Sequence, residues 1–448
     1  MCMVLKFMRK VIIIGASGRD YHDFNVVFRN NPNYKVVAFL QTQIPGVAGR
    51  RYPPSLAGPY YPEGIPIVGY DALEDIAKKY GVEEAILAYS DLLYDELGYV
   101  LSRVVALGLS FRILGPLETM LESSKPVIAV LGVKTGVGKS TVSREVALEL
   151  RSRGFKVGIV RHPMPYGDLE KAAVQVFHSI DDLDRYECTV EEREEYEPYL
   201  KMGFYVYAGV DYGKILQIVE KENDLILWDG GNNDWPFYRP DFSIVVADAM
   251  RPGIEVKSYP GEINLRLADA VIINKADQAK QGSIEEIKKN VRARNPRAAV
   301  SVAISEVSVD NPNAISGKKV LVVEDSPTIT HGGLPYAAGY VAAKKYNAEV
   351  IDPRPYASEF FKKIYSEYPH IGPVLPSTGY TPAQLKELEK VINSVPAEAV
   401  VLATPSDLTR LIRVNKPVVR VTYKLKITEG PTIRDYMDMF LERAKLKY

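Results

Sequence analysis

Val127-Ile-Ala-Val-Leu-Gly-Val-Lys-Thr-Gly-Val-Gly-Lys-Ser-Thr141 decides how the rest of the chain is read. Val127 to Leu131 has no polar residue, the pattern of a strand buried on both faces. Glycines 132, 136 and 138 interrupt it, and Ser140 to Arg151 then spaces Val142, Val146, Ala147 and Leu150 as the apolar stripe of a helix. Strand, glycine turn and helix opened by Gly-Lys-Ser is the order that phosphate binding requires. Backbone N–H groups of Gly136, Val137, Gly138, Lys139, Ser140 and Thr141 would curl around a β-phosphate. Lys139 would reach the β and γ oxygens, and the Ser140 hydroxyl would sit on Mg²⁺. The stretch predicts an α/β chain with a P-loop NTPase domain and a mostly parallel sheet.

Two later stretches extend that reading. Asp224-Leu-Ile-Leu-Trp-Asp-Gly-Gly231 is a buried strand ending in Asp229, which is expected to hold Mg²⁺ directly or through water. Gly231 offers a backbone N–H to a γ-phosphate, and Asn232, Asn233 and Asp234 are polar groups able to orient water or a second substrate. Ala270-Val-Ile-Ile-Asn-Lys-Ala-Asp277 matches the Asn-Lys-x-Asp element of GTPases. The Asp277 carboxylate can accept both the N1–H and the 2-amino hydrogens of guanine, a donor pair adenine lacks. Asn274 would brace the loop and Lys275 would lie along the base. The expected cofactors are therefore GTP (or ATP) and Mg²⁺.

The phosphate loop departs from the commonest form. Lys134-Thr-Gly-Val-Gly-Lys-Ser140 resembles the variant loop of the MinD-like, SIMIBI class of P-loop proteins, with Thr135 in place of a glycine. The resemblance implies that Lys134 reaches across a homodimer to the partner's phosphates; alternatively it only adds charge to the loop. It also implies a water- or Mg²⁺-orienting aspartate after the next strand, where Asp168 stands. The other reading of Asp168 is an N-cap for a helix over 169–177.

Bulk properties bound the answer. At 448 residues the chain calls for two or three domains. Its 56 acidic and 56 basic residues give no basic excess, so no nucleic-acid partner is expected. Two cysteines, Cys2 and Cys188, suit a reducing, cytoplasmic setting. No run of 18 apolar residues calls for a membrane.

Outward from the loop, residues 1–124 alternate strand and helix and predict a Rossmann-like α/β domain. Arg19, His22 and Asn25 follow its first strand and would either receive an anion or cap a helix. Residues 41–66, rich in Pro, Gly and Tyr, form a long loop in which Arg50 and Arg51 are candidates to grip an anionic substrate. The NTPase domain spans 125–311. Within it Asp181 to Glu197 is strongly acidic and reads as a solvated helix or flap. A smaller α/β domain spans 312–448. Its Glu324-Asp-Ser-Pro-Thr-Ile-Thr-His-Gly-Gly333 stretch makes Asp325, Thr328, Thr330 and His331 candidates for phosphate binding or proton transfer. Thr404 to Thr409 reads as the capped start of a helix, and Val418 to Tyr423 as an edge strand.

Taken with Gly15-x-x-Gly-Arg-Asp-Tyr-His-Asp-Phe24, these motifs resemble the archaeal predicted-GTPase family that includes cyclic 2,3-diphosphoglycerate synthetase. The resemblance implies an enzyme spending a nucleoside triphosphate on phosphoryl activation of a small anionic, phosphorylated metabolite. Arg19, His22 and His331 would then share the acceptor pocket. The competing expectations are a regulatory GTPase switch and a metallochaperone-type SIMIBI protein, the latter weakened by the lack of closely spaced Cys and His.

Overall fold

A computed structural model describes residues 8–445 apart from 17, 43–47, 163, 165–166, 232–233, 379–380 and 405–406. Apolar strands and amphipathic helices alternate along most of it, and they assemble on two large sheets. The first has six strands in the order Arg51–Tyr52, Ile65–Gly69, Tyr34–Gln41, Arg9–Ile14, Glu84–Leu87, Ser110–Ile113. All pairs but the first are parallel. Two apolar clusters cover its faces, as the doubly wound reading of the N-terminal region requires. The 41–66 stretch is more than a loop. It contributes two strands and the helix Pro54–Ala57, and its Tyr52 and Tyr61 pack edge-on against Phe24.

The second sheet has thirteen strands. Val127–Gly132 lies near its middle, between Leu225–Asp229 and Phe242–Asp248 and parallel to both. Parallel neighbours bring Asp229 and Asp248 to the same edge as the glycine loop, because all three strands end there. Ala270–Asn274 follows beyond Phe242–Asp248 and brings Asn274 to that edge too. The helix Lys139–Ser152 buries Val142, Val146, Ala147 and Leu150 on the sheet. The terminal helix Ile433–Arg443 adds Tyr436, Met437, Phe440 and Leu441 to the same core.

The C-terminal region continues this sheet. Val418–Glu429 pairs antiparallel with Ala299–Val309 and parallel with Ala399–Ala403, which pairs in turn with Lys319–Glu324. The expected edge strand is the start of a twelve-residue strand that lies between these two in strand order, Val418 to Arg420 paired with one neighbour and Val421 to Glu429 with the other. Its lysines, Lys424 and Lys426, alternate with Leu425 and Ile427, so one face is wet.

Three local expectations are corrected. Residues 169–177 form a turn and the strand Val174–Phe177, because Val-Gln-Val-Phe alternates toward a sheet partner, Tyr205–Gly209. Thr404 to Thr409 leads only to the short turn Leu408–Arg410. The acidic 181–197 segment is solvated only in its first part, where Asp181, Asp184, Arg185 and Glu187 are exposed. Its second half is the helix Val190–Lys201, capped by Thr189, with Glu191, Glu192, Arg193, Glu194 and Glu197 buried. Tyr196, Tyr199 and Leu200 belong to the NTPase core, while Val190 belongs to a C-terminal core, so the helix spans both. Burying carboxylates is tolerated only with partners. Glu195 pairs with Arg161, Glu197 with Lys201, and Glu194 with hydroxyls of the C-terminal region.

Candidate functional site

The glycine loop is held from behind by cations and an amide. Arg251 donates to the Thr135 carbonyl (2.9 Å), Lys275 to that of Gly136, and Asn274 to that of Val137 (3.0 Å). Asp248, fully buried, anchors both Arg251 (2.8 Å) and Lys275 (3.4 Å). Three successive carbonyls are thereby tied outward, which suits a loop whose N–H groups must serve an anion. Gly136 and Gly138 have φ of +83° and +91°, and a Cβ on Gly138 would run into the Asn274 amide nitrogen. Asn274 also accepts from the Ser305 hydroxyl (3.2 Å).

Lys139 is turned onto Asp229 (2.6 Å). Asp229 accepts further from Ser143 Oγ (2.7 Å) and Tyr199 OH (2.7 Å) and pairs with Arg161. Burial opposes its charge, but Arg161 and Lys139 outweigh that and hold its carboxyl well below the usual range. Burial pulls the Lys139 ammonium down to about 8 against the attraction of Asp229. All the polar capacity of Asp229 goes to protein groups, and it lies behind the loop rather than among the residues lining the cavity in front. In this arrangement it anchors Lys139.

That cavity, about 200 Å³, lies between the loop and the C-terminal region. Lys134, Gly136, Val137, Gly138, Lys139, Ser140, Thr141, Gly231 and Lys275 line one side; Asp325 and Thr328, with Leu334, Tyr336 and Tyr423, line the other. The glycine turns, Lys139 and the helix end fit a phosphate chain, and Ser140 is placed to offer its hydroxyl to a phosphate-bound Mg²⁺. Lys134 is paired with Asp91 of the N-terminal region (3.1 Å). Glu194 and Glu195, from the segment expected to be solvated, also line the cavity.

Other expected site residues stand elsewhere. Arg19 is buried against Asp234 (2.8 Å) and lies over the Trp235 ring (3.7 Å). His22 stacks on Phe237 and bonds the Thr119 carbonyl (2.6 Å). His162 takes the other Asp234 oxygen (2.7 Å). These groups join the N-terminal region to the turn after Asp229, and neither Arg19 nor His22 lines the cavity. Arg50 donates to the Gly167 carbonyl, and Asp168 is an exposed cap accepting from the N–H groups of Glu170 (2.9 Å) and Lys171 (3.3 Å). Thr330 bonds back to the Ser326 carbonyl (2.7 Å), and exposed His331 meets Tyr368. The pocket shared by Arg19, His22 and His331 is thus not what the fold builds. Asp277 sits exposed on the turn Ala276–Gln278, beside the cavity residues Lys275 and Gln278. Asn232 and Asn233 lie outside the described residues.

Among the described residues, no group of three or more His, Cys, Asp or Glu is placed to hold a metal ion, and no helix is long and apolar enough to cross a membrane.

The fold and the loop define a P-loop NTPase core of the SIMIBI class, related to cyclic 2,3-diphosphoglycerate synthetase. The family model for the P-loop domain of that synthetase matches residues 202–304, and the model for the NUBPL iron-transfer P-loop NTPase matches residues 123–164. Cyclic 2,3-diphosphoglycerate synthetase of Thermococcus gammatolerans is 26% identical over 59% of this chain and 66% of its own length. Arginine synthetase ArcE of Thermococcus kodakarensis is 53% identical over 99% of this chain and 100% of its own. The chain belongs to the arginine synthetase family, and with it to the enzymes that spend a nucleoside triphosphate on synthesis. Among solved structures, LpxK from Aquifex aeolicus aligns over 83% of the chain at 12% identity with a TM-score of 0.41.

Proposed function

We propose that the chain is a Mg²⁺-dependent, nucleoside-triphosphate-driven arginine synthetase. In this reading the γ-phosphoryl group activates a ureido carbonyl, and a nitrogen nucleophile replaces the activated oxygen to leave a guanidinium. The single observation that carries it is the composition of the cavity. The cavity that holds the phosphate-binding groups is also lined by Glu194, Glu195 and Asp325. Carboxylates suit a product that carries positive charge. An acceptor with several phosphates would meet repulsion there, since the cavity lysines are already engaged, Lys134 by Asp91, Lys139 by Asp229 and Lys275 by the Gly136 carbonyl.

Lys139 and Ser140 take the phosphates and Mg²⁺, and Gly231 approaches the γ-phosphate. Asp229 stores Lys139 until a triphosphate draws it forward. Asp277 selects guanine, as its position beside Lys275 and Gln278 supports. Functionally the chain divides near residues 124 and 311. The expectation of a homodimer rests on Lys134, which here pairs with Asp91 of its own chain. Light scattering with and without a non-hydrolysable triphosphate decides it, and a strict monomer in both states overturns it.

The test of function is incubation with GTP or ATP, Mg²⁺, ammonium and citrulline, the ureido amino acid that differs from arginine by one nitrogen. Arginine and inorganic phosphate are expected in equal amounts by mass spectrometry and phosphate assay. Formation of a cyclic anhydride from 2,3-diphosphoglycerate, with no arginine, refutes the proposal.

A further inference from the structure

The arginine reading leaves open where the incoming nitrogen is held. Glu194 projects from the buried helix Val190–Lys201 into the wall opposite the phosphate loop. It is 5% exposed. Its Oε1 accepts from Ser377 Oγ (2.6 Å) and from Thr404 Oγ1. Its Oε2 is buried and receives no hydrogen bond. The charged neighbour on that side is Asp325, whose carboxylate accepts from the N–H (3.2 Å) and hydroxyl of Thr328. Both residues line the cavity. Burial and the facing Asp325 carboxylate push the Glu194 carboxyl well up, and burial raises Asp325 too, so the pair takes up a proton more readily than an exposed carboxyl does.

Glu194 Oε2, buried beside Asp325 with no hydrogen bond given to it, leaves the site incomplete. The nearby cations do not complete it. Lys134 is committed to Asp91, Lys139 to Asp229 and Lys275 to Asp248. What completes it is a small cation that is all donor.

Resting on the arginine reading, we propose that Glu194 and Asp325 form the ammonium site of the enzyme, holding the nitrogen donor across the cavity from the γ-phosphate. The balance of the reaction calls for this group. Phosphoryl transfer forms a bond from the ureido oxygen to the γ-phosphorus and breaks the bond to the β-phosphate oxygen. Attack by ammonia forms the new C–N bond, and the C–O bond breaks to release phosphate. From ammonium, a neutral ureido group and the triphosphate, the products are a guanidinium, the diphosphate, phosphate and one proton. That proton must leave the ammonium before its nitrogen can attack, and the carboxylate pair is the acceptor beside it.

The experiment measures three constants on the full chain: KM for ammonium, KM for citrulline and the dissociation constant for the nucleotide. Glu194→Gln and Asp325→Asn keep the size of each group and remove its charge. Each is expected to raise KM for ammonium about tenfold or more, the loss of a charge-assisted hydrogen bond, with the other two constants within about twofold. Glu194→Asp should recover part of the ammonium affinity. Ser377→Ala, which leaves both carboxyls in place, should raise the same constant by less; it keeps the inference testable if the charge variants fold poorly. An unchanged ammonium KM, or a rise in all three constants together, overturns the ammonium site while leaving arginine synthesis standing. If the wild type makes no arginine at all, the functional reading itself falls.

Discussion

Gly138→Ala attacks the loop where it is tied to its brace. Gly138 has φ +91°, a backbone region that costs an L-residue about 1–2 kcal/mol. The new methyl also runs into Asn274 Nδ2, which is fully buried and donates to the Val137 carbonyl. Moving that amide aside sacrifices a hydrogen bond of about 0.5–1.5 kcal/mol. The sum, about 1.5–3.5 kcal/mol, is charged against a loop that must be formed before a phosphate can bind. At about 1.4 kcal/mol per decade, the dissociation constant should rise roughly 10- to 300-fold. Calorimetry with a non-hydrolysable triphosphate reads it directly. Asn274→Ala supplies the control, because it removes the obstacle along with the brace. The double variant should therefore lose less than the sum of the two single losses, a coupling of about 0.5 kcal/mol or more. Binding within threefold of wild type in Gly138→Ala, or strict additivity of the pair, refutes the argument that the amide and the glycine are fitted to each other.

Three further outcomes follow from the same geometry. Asp277→Asn should erase a preference for GTP over ATP worth about 2–4 kcal/mol, and a wild type that prefers ATP removes the role given to Asp277. Tyr199→Phe takes one donor from the buried Asp229 carboxylate and should lower stability by about 1.5–3 kcal/mol in denaturant titration; a loss under 0.5 kcal/mol would show that the bond is idle. His22 is pushed down to about 3, chiefly by burial, from an ordinary 6.5, so the unfolded chain takes up a proton that the folded one refuses. Its contribution is full above pH 6.5 and drains away toward pH 3. His22→Phe should cost about 1–3 kcal/mol near pH 8 by orphaning the Thr119 carbonyl, with the gap closing as pH falls below 6.5. A gap that stays constant from pH 8 to pH 4 contradicts a neutral buried imidazole.

The strands and the phosphate loop were legible because their signals are local. An unbroken apolar run and a glycine-rich turn carry their meaning within a dozen residues. So does Asn274-Lys275, whose spacing after a buried strand places it on the loop. What stayed hidden depends on partners far along the chain. Glu194 reads as one acid among many until Ser377 and Thr404 arrive from some two hundred residues away. Arg19 and His22 read as ligands for an anion because nothing near them in sequence supplies Asp234 and Phe237. Val418 to Tyr423 reads as an edge because alternation reports one wet face and is silent about how many neighbours a strand has. A hint for Glu194 does exist in its spacing from Tyr196, Tyr199 and Leu200, an apolar stripe that a fully solvated helix would not carry.

The strand Val418–Glu429 also shapes how the enzyme can open. Many two-part enzymes admit substrates by swinging one lobe away from another about a flexible joint. Here the wall carrying Asp325 and the wall carrying the phosphate loop are strapped to consecutive lengths of one strand: Val418 to Arg420 carries Ala399–Ala403, and Val421 to Glu429 carries Ala299–Val309. A swing that keeps both ladders must bend this strand where one ladder gives way to the other, beside Arg420. The span between the site of phosphoryl transfer and the site of the incoming nitrogen is then set at that one joint, like two jaws on a shared pin.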